Sequence, residues 1–598
     1  MAAYTSKASG GWDQEGASTW NEAGHPGAGD TVTIQNTHAI TLESATQCTT
    51  LTIDAGGSLD TTETDYDLTV SGVTAIAGTL TLNDSTVSLG TGLDDAWAIT
   101  VSDGGDLEEG GADVISGGVK FDNGSTVNMT TGTHTVNGYG TYSTVYAMYV
   151  DNGCSFDANG GLVHFDDIPA ANVYWKTGGN SFHDVEVDYD AVELTLISNV
   201  LTVTGTLTVL TGKLNTNGST DLALTVTGLT TVTGTLTLND STVVLAAVTV
   251  SDGGTLEVDG ADVSCSGNFT VGGGSSGLVS FLDAGDLDLD GATFTINAGA
   301  TFGTAATTYT VDINSDMAAS AGTFIAPAAG GDLIFRTGNT WHTPTTFTHS
   351  GGEWTVIGSG TATIANHSTQ FYDLEVANFA TLAIGNFNLT TANQFKVGGG
   401  ASGTVTNGAV TITIGENLWV AGGASVFSAD TAFDLSIAGT CMGDGTINLP
   451  NGDGSCVFTG TLWAAETIVH NSGTLVFTGG NQSITNDNTF FNFDKHVDSA
   501  ATLTVTAEKT LTIEGELDLY GASGELLTVT SSVGDTAFDL VLTGTKGTIQ
   551  YLDVSDSDAS GSDGDVKPID PSNSTDSGGT TDWFPETTQP DMQIIIIS

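Results

Sequence analysis

Pairs of carboxylates are the side chains with the most obvious capacity for chemistry in this chain of 598 residues, 70 of which are acidic. Three sets alternate along strand-like stretches: Asp184, Glu186, Asp188 and Asp190; Asp286, Asp288 and Asp290; and Glu514, Glu516 and Asp518. Alternate positions of a strand lie about 7 Å apart, and a glycosidase needs two carboxylates about 5–10 Å apart beside a cleft. The same alternation is typical of the solvent face of a half-buried strand, and nothing selects one pair from so many acids. We therefore predict that the chain is not an enzyme.

A second group of acids, near the C-terminus, is the best candidate for a metal site. Its members are Asp556, Asp558, Asp563 and Asp565, within a stretch rich in Gly and Ser. Ca²⁺ takes about six to eight oxygen ligands from carboxylates and carbonyls. The spacing matches neither the EF-hand loop nor the nonapeptide calcium repeat, so a solvated acidic loop is the favoured alternative. Ca²⁺ is the one cofactor that this pattern suggests.

The histidines and cysteines show no metal-binding or catalytic spacing. His164 and His183 lie beside acids in the sequence, which predicts surface hydrogen bonds. The five cysteines lie far apart, and their odd number excludes a fully paired set of disulfides within one chain. Cys441 and Cys456 could face each other across neighbouring turns, but burial as small apolar side chains is favoured.

Three tryptophans, Trp175, Trp341 and Trp354, lie near predicted turns. Exposed there, they could stack on sugars; packing beneath loops is the alternative.

The charge excludes two classes of partner. The formal net charge is −60, with ten basic residues, and Arg336 is the single arginine. Binding to nucleic acid requires clustered Lys and Arg, and the acidity also repels anionic lipid. No apolar run reaches the length of a membrane span, and the N-terminus lacks the apolar core of a signal peptide. We expect neither nucleic-acid binding nor membrane insertion, and synthesis in a host cytoplasm without a signal peptide.

The elements that position all these side chains are predicted by a hydrophobic period of two. In the stretch 201–209, Leu201, Val203, Leu207 and Val209 point one way and the threonines point the other. Similar runs recur throughout the chain and are broken every few residues by Gly, Asn-Gly and Asp-Gly turn signals. The sequence therefore predicts an all-β protein.

Internal repetition favours stacked turns over hairpins. The ten residues Gly78–Val87 recur unchanged as Gly234–Val243, inside a duplicated block of about 71–118 and 227–268. Imperfect repeats that tolerate insertions are typical of solenoids. We predict an elongated parallel β-helix of about 20–25 residues per turn, on the order of 100 Å long, that could be interrupted by small sandwich-like modules. The predicted parts are an N-terminal cap (1–45), the β-solenoid (46–550) and a C-terminal cap with an apolar tail (551–598).

The tail contains four consecutive isoleucines, Ile594, Ile595, Ile596 and Ile597. Such a strand is prone to aggregate when it lies in water. We predict that it is buried against the solenoid or donated to a neighbouring subunit, which would make it an assembly element; a free tail is the alternative.

Several motifs resemble those of β-helical proteins in phage virions and on bacterial surfaces. They are a Trp-x7-Trp-x5-Pro-x3-Asp-Thr-Val-Thr-Ile segment from Trp12 to Ile34, Phe-x-Asp/Asn-apolar units starting at Phe182, Phe371 and Phe490, and the segment from Tyr551 to Trp583. The resemblance implies a right-handed parallel β-helix and, for phage members, a homotrimeric or otherwise multimeric appendage located in the virion. It favours a structural tail-fibre, head-fibre or decoration subunit that contacts other virion proteins and has a possible attachment role toward a host-surface glycan. A bacterial cell-surface adhesin and a polysaccharide-degrading tailspike are the alternatives.

Overall fold

The structure is a computed structural model that describes the chain apart from residues 15–17, 92, 94–95, 169–171, 189–192, 217–221, 275, 319, 367–368, 400–401, 423–425, 428–432 and 587–598. The described residues contain no helix, and their parallel strands stack as a β-solenoid of about 24 turns. The predicted fold class is therefore confirmed. The chain divides into two compact units, residues 1–331 with 344–346 and residues 332–343 with 347–598.

The strands of the first unit are, in chain order, Ala3–Thr5, Gly10–Gly11, Thr31–Ile34, Ala39–Thr41, Thr46–Cys48, Thr50–Ile53, Ser58–Asp60, Leu68–Val70, Thr74–Ile76, Thr79–Thr81, Thr86–Leu89, Ile99–Val101, Asp106–Glu108, Asp113–Ser116, Val119–Phe121, Thr126–Asn128, Thr133–Val136, Gly140–Thr141, Val145–Val150, Ser155–Asp157, Leu162–Asp166, Asn172–Lys176, Ser181–Phe182, Asp184–Asp188, Glu193–Leu196, Leu201–Val203, Leu207–Val209, Lys213–Asn215, Leu224–Val232, Thr235–Asn239, Thr242–Val250, Thr255–Asp259, Asp262–Cys265, Phe269–Val271, Leu278–Asp283, Asp286–Leu289, Thr293–Ile296, Thr301–Phe302, Thr310–Ile313, Asp316–Met317 and Thr323–Ala328.

The strands of the second unit are Asp332–Arg336, Thr340–His342, Thr346–Ser350 (whose first residue belongs to the first unit), Glu353–Ile357, Thr361–Asn366, Thr369–Phe371, Asp373–Val376, Thr381–Ile384, Leu389–Thr391, Gln394–Val397, Thr404–Asn407, Thr411–Ile414, Asn417–Val420, Val426–Phe427, Asp434–Ile437, Thr440–Asn448, Ser455–Phe458, Leu462–Val469, Thr474–Phe477, Gln482–Ile484, Asn488–Phe490, Asn492–His496, Ala501–Val505, Thr510–Ile513, Glu516–Tyr520, Leu527–Ser531, Phe538–Leu542, Thr545–Gln550, Leu552–Asp558 and Thr575–Thr581.

Successive turns are joined by parallel strand pairs, and the length of the turn varies. In the first unit the repeat is as short as 18 residues, from Thr230 to its partner Val248, and as long as 30, from Gly10 to Ile40. The extra residues form loops between strands, so the pairing of the strands themselves is preserved. This tolerance is what the imperfect sequence repeats predicted.

The core of each unit is the inner side of the stacked strands. Leu201, Val203, Leu207 and Val209, which the period of two assigned to one face, are all fully buried. Equivalent positions in successive turns lie over one another; for example, Leu238 pairs with Val258, which pairs with Phe281. Burial of such side chains stabilises the fold by about 1.5–3 kcal/mol each.

The Phe-x-Asp/Asn motif links neighbouring turns. Phe182, Phe371 and Phe490, its aromatic residues, are buried. The acid or amide two positions later accepts a backbone N–H of the following turn: Asp184 Oδ1 from Thr206 at 2.6 Å, Asp373 Oδ1 from Gln394 at 2.9 Å, and Asn492 Oδ1 from Glu516 at 2.8 Å. The motif therefore satisfies a donor that would otherwise be unpaired at the start of a strand.

One hairpin departs from the parallel pattern. Gly140–Thr141 pairs antiparallel with Val145–Val150, which also pairs in parallel with the turns before and after it. Other antiparallel contacts within the described residues are isolated bridges, such as Ser6 with Trp20 and Ala522 with Glu525.

Buried tryptophans lie near both ends of the described chain. Ala3–Thr5 already pairs with Thr31–Thr33, so parallel stacking begins inside the segment predicted to be a cap. Trp12 and Trp20 are fully buried there, with ring centroids 5.3 Å apart. Near the other end, Trp583 is buried and donates from Nε1 to Ser557 Oγ at 2.8 Å.

The repeated decapeptide lies on different sheets in its two copies. In the first copy Thr79–Thr81 belongs to a seven-stranded sheet, whereas in the second Thr235–Asn239 belongs to a seventeen-stranded sheet. The same leucines and valine face inward in both copies. The decapeptide therefore specifies strand, turn and inward side chains, but not the face of the solenoid.

Candidate functional site

The alternating carboxylates lie on the solvent side of their strands. Asp286, Asp288 and Asp290 are exposed, between the buried Leu287 and Leu289. The other two sets, residues 184–188 and 514–518, are likewise half-buried or exposed outward residues, and Asp190 lies outside the described residues. The geometry therefore agrees with strand faces in water and does not single out a catalytic pair among them.

The four aspartates proposed for Ca²⁺ are also solvent-facing. Asp556 and Asp558 are half-buried, whereas Asp563 and Asp565 are exposed. Asp556 Oδ1 accepts the Asp535 N–H at 3.2 Å, and Asp558 Oδ1 accepts the Ser560 N–H at 2.8 Å. Each bond engages one oxygen of its aspartate, and calcium binding here stays a prediction.

Within the part of the chain that the structure describes, potential metal ligands converge elsewhere. One ligand atom each from His164, Asp166 and Asp188 lies within 4.8 Å of the others. His164 Nε2 also lies 3.4 Å from Glu186 Oε1, and Asp188 Oδ1 accepts from Thr211 Oγ1 at 2.8 Å. The cluster is half-buried on the outer face, and the hydrogen bond from Thr211 holds Asp188 in place.

The predicted assembly residues, Ile594, Ile595, Ile596 and Ile597, lie outside the described residues. Their role stays a prediction.

No described helix is long or apolar enough to cross a bilayer.

The tryptophans that could have stacked on sugars are core residues. Trp175 and Trp341 are fully buried and Trp354 nearly so. Trp175 packs against Phe165 and Phe182, with ring centroids 4.9 and 4.8 Å away. The prediction that these three residues could be exposed is wrong, because they occupy strand positions whose side chains point into the core. The alternative, burial, applies to them and to all five cysteines, which are buried and unpaired with one another.

A buried Glu–His–Ser network is a feature that the sequence analysis missed. His134 Nδ1 lies 2.8 Å from Glu109 Oε1, and His134 Nε2 lies 2.8 Å from Ser116 Oγ. The order of groups is that of a hydrolase triad, but all three side chains are fully buried, so no substrate can reach the serine. The network instead holds one turn to the next. The signal available in the sequence was the alternation along the strand. His134 lies two positions before the inward Val136, so it faces the same side.

A second missed feature is a contact between two glutamates in the second unit. Burial raises the pKa of Glu353 to about 7, together with a hydrogen bond that the protonated Glu353 donates to Glu375 and the negative charge of Glu375. Glu375 Oε2 also pairs with Lys396 Nζ at 2.8 Å, and that ammonium lies 5.0 Å from the Trp419 ring centroid.

The raised pKa of Glu353 predicts a pH dependence of stability. Between the unfolded pKa of 4.5 and the folded pKa of about 7, the folded state binds more protons, so stability falls as the pH rises. Glu353→Gln, which keeps a hydrogen-bond donor toward Glu375, is expected to reduce the loss of stability between about pH 5 and pH 8. Denaturant titrations at the two pH values measure it. Glu416→Gln, at an exposed position, is the control; an unchanged pH dependence in Glu353→Gln would contradict the assignment.

The first unit carries a cluster of aromatic rings on its outer surface, which we call the aromatic face: Trp97, Tyr142, Tyr146, Tyr149 and Tyr174. Tyr146 lies at the centre, with ring centroids 6.2 Å from Trp97, 5.2 Å from Tyr149 and 6.1 Å from Tyr174. Tyr142, at the tip of the antiparallel hairpin, is 70% exposed. Trp97, Tyr149 and Tyr174 are half-buried and Tyr146 is buried. An exposed aromatic ring set on such a cluster, as Tyr142 is here, marks a place of interaction.

Strand register and one glycine build the aromatic face. Tyr146 pairs directly with Tyr174 of the next turn. Gly140 in the hairpin packs against the Trp97 indole so closely that an added Cβ would clash with the ring. The second copy of the duplicated block has no equivalent of Trp97, because Ala246 precedes the matching Ala247–Val250. Trp97 is therefore specific to the first copy, and the tyrosines of the face lie beyond the duplicated block.

Two of the ten basic residues also lie on the aromatic face. Lys176 Nζ is 4.4 Å from the Tyr149 ring centroid and 3.4 Å from Asp151 Oδ1. Lys120 Nζ is 5.9 Å from the Tyr142 centroid and 2.7 Å from Asp122 Oδ1. Each ammonium therefore fixes a ring through a cation–π contact while an aspartate balances its charge.

An open cleft of about 460 Å³ borders the aromatic face. Its walls include Tyr146, Tyr174, Asn172, Glu193, Thr195 and Asn215. Glu193 Oε1 accepts from Thr195 Oγ1 at 3.0 Å and from Asn215 Nδ2 at 2.5 Å, which orders the polar wall. The volume is within the range of about 300–1,000 Å³ of small-molecule sites. Aromatic rings on one side and hydrogen-bonding groups on the other make this the candidate site.

No protein-family model matches the chain, and no curated protein matches it significantly. Its function has to be argued from its own residues.

Proposed function

We propose that the chain is a non-enzymatic structural protein of a phage virion, a fibre or decoration subunit that associates with other copies of itself and with other virion proteins. Tailspikes, fibres and adhesins share the β-solenoid fold, so the fold alone does not select among them. The virion assignment is supported by the resemblance of the Trp12–Ile34 segment and the Phe-x-Asp/Asn units to those of phage structural proteins.

The observation that carries the structural role is how the acidic and amide side chains are used. Asp184, Asp373 and Asn492 each hold a backbone N–H of the following turn, while aliphatic side chains fill the interior. These polar side chains thus serve the stacking of turns, as in a scaffold. The net charge of −60 would keep particles that display many copies soluble and apart.

Immunogold electron microscopy of particles and cells from a culture that expresses the gene tests the proposal. An antibody against the chain is expected to label purified virions at a fixed place, head or tail. Preimmune serum is the control. Label confined to the bacterial envelope would contradict the virion role and favour the adhesin. Release of reducing sugar from host polysaccharide by the purified chain would contradict its non-enzymatic character.

A further inference from the structure

Beside the cleft, the side chains on the outer side of the seventeen-stranded sheet change from aromatic to polar from one turn to the next. Strand pairing places Tyr146, Tyr174, Thr195 and Asn215 one above another on four successive turns. Asn172 and Glu193 form a parallel column beside them. Two aromatic residues are thus followed by a hydroxyl and an amide on the outer side of the sheet. Tyr146, Thr195 and Asn215 are largely covered, Tyr174 is half-buried, and Asn172 in the neighbouring column is exposed.

Rings and polar groups in this order fit a sugar. The face of an aromatic ring carries negative electrostatic potential, and one face of a pyranose ring presents several C–H bonds of positive character to it. Hydroxyls at the rim of the same sugar need donors and acceptors, which Asn172, Glu193 and Thr195 provide. Phenol hydroxyls of Tyr146 and Tyr174 add further polar groups at the edge of the stacking surface.

The spacing of the rungs also fits a sugar chain. Successive strands of a parallel sheet lie about 4.8 Å apart, close to the advance per residue of an extended pyranose chain. An oligosaccharide lying along the stack would therefore meet an equivalent position on each turn. The cleft extends over the turns that carry Tyr146, Tyr174, Thr195 and Asn215, so it spans several sugar residues.

The charge of the site selects a neutral sugar. Glu193 is the only acid among the described residues that line the cleft. The nearby ammonium groups of Lys120, Lys176 and Lys213 are each paired with an acidic side chain. The chain as a whole carries −60. A uronate or a sialate would be repelled by this field and would find no unpaired cation.

We propose that the cleft between Tyr146, Tyr174, Asn172 and Glu193 binds a neutral pyranose oligosaccharide, such as part of a host-surface polysaccharide, without cleaving it. The biological role rests on the proposed function, whereas the binding itself does not. A single lining carboxylate fits binding better than hydrolysis, because glycosidases commonly use two flanking carboxylates.

A second copy of the chain is the other conceivable occupant of an aromatic surface. An interface between copies has an apolar core from which charged residues are depleted. Here the cleft is concave and its wall contains Glu193, Asn172, Asn215 and Thr195. The polar lining favours a ligand rich in hydroxyl groups over the surface of another copy.

Saturation-transfer NMR and fluorescence titration of the full chain test the proposal. The probes are cellohexaose, maltohexaose and mannohexaose, with hexagalacturonate as the acidic comparison. At least one neutral hexasaccharide is expected to bind saturably. Its Kd should change less than about twofold between roughly 0.05 and 0.5 M NaCl, because no net charge is paired. Hexagalacturonate should bind at least about tenfold more weakly.

Three variants locate the site. Tyr174→Ala removes a stacking ring and should weaken binding by at least about tenfold. Asn172→Ala, at an exposed position, removes only a polar contact and should weaken binding by about threefold to tenfold; it serves if the first variant misfolds. Tyr372→Ala is the matched control, since Tyr372 is 36% exposed in the second unit, and its affinity should be unchanged.

Four results would overturn the proposal. They are no binding of any neutral hexasaccharide to the folded chain; equal loss of affinity in Tyr372→Ala and Tyr174→Ala; cleavage of a bound probe; and dissociation of an oligomer by Tyr142→Ala, seen by mass photometry, without sugar binding. Failure of the virion role is distinguishable from all of these. A chain that binds the sugar but never labels virions would retain the site and lose only the proposed function.

Discussion

Replacing Leu238 with Asp is expected to lower the local free energy of unfolding by at least about 4 kcal/mol. Leu238 is fully buried and pairs with Val258, with Phe281 on the turn beyond. The substitution removes apolar packing from this column and leaves a carboxylate with no cation to pair with it. Hydrogen exchange of the backbone amides in Thr255–Asp259 measures the change, since turns of a solenoid can open locally.

A matched substitution lies six positions away. Val244 is 45% exposed on the outer side of its strand, so Val244→Asp introduces the same charge into water. It should change the local stability by less than about 0.5 kcal/mol. Equal protection of Thr255–Asp259 in the wild-type chain and in Leu238→Asp would contradict the inward assignment of this residue.

Replacing His134 with Leu is expected to destabilise its turn by about 3–5 kcal/mol. The histidine bridges Glu109 and Ser116, and all three side chains are fully buried. Without it, Glu109 keeps one hydrogen bond, from the Thr130 N–H at 3.1 Å, but loses its side-chain partner in a dry interior. Removing one member of a buried polar network lowers the stability by more than the net contribution of the hydrogen bond, because the remaining member stays desolvated.

The control for this prediction is the outward pair His164 and Glu186. Their atoms lie 3.4 Å apart and both side chains are partly exposed. His164→Leu should cost less than about 1 kcal/mol, because water replaces the lost partner. Hydrogen exchange of Asp113–Ser116 and Leu162–Asp166 compares the two sites. Similar small losses in both variants would show that the buried network contributes no more than a surface contact.

The network and the aromatic face differ in how far the sequence could have predicted them. His134 shares the parity of Val136, so its burial was readable from alternation, as was that of Trp175. Its partner Glu109 is 25 residues earlier, and nothing in the sequence indicates which acid lies opposite. Alternation along a strand tells which side a residue faces. Which residue of another turn it contacts depends on the length of each turn.

The aromatic face depends even more on the tertiary structure. Trp97, Tyr146 and Tyr174 come from turns that are separated by loops of unequal length. A change of one residue in the pairing of Val145–Val150 would turn Tyr146 to the opposite side of its strand. The hairpin that carries Tyr142, and the close approach of Gly140 to Trp97, have no signature in the period of two.

The sequence by itself determined that this protein is all-β, that its strands are half-buried and that its repeats stack, because alternation and turn residues act within a few positions. It also determined which leucines and valines of the repeated decapeptide face inward. Only the tertiary structure decided that its two copies lie on different sheets, since the face is set by the summed length of all preceding loops. The cleft beside Tyr146 and Tyr174 arises in the same way, from residues far apart in the chain that stacking brings into register.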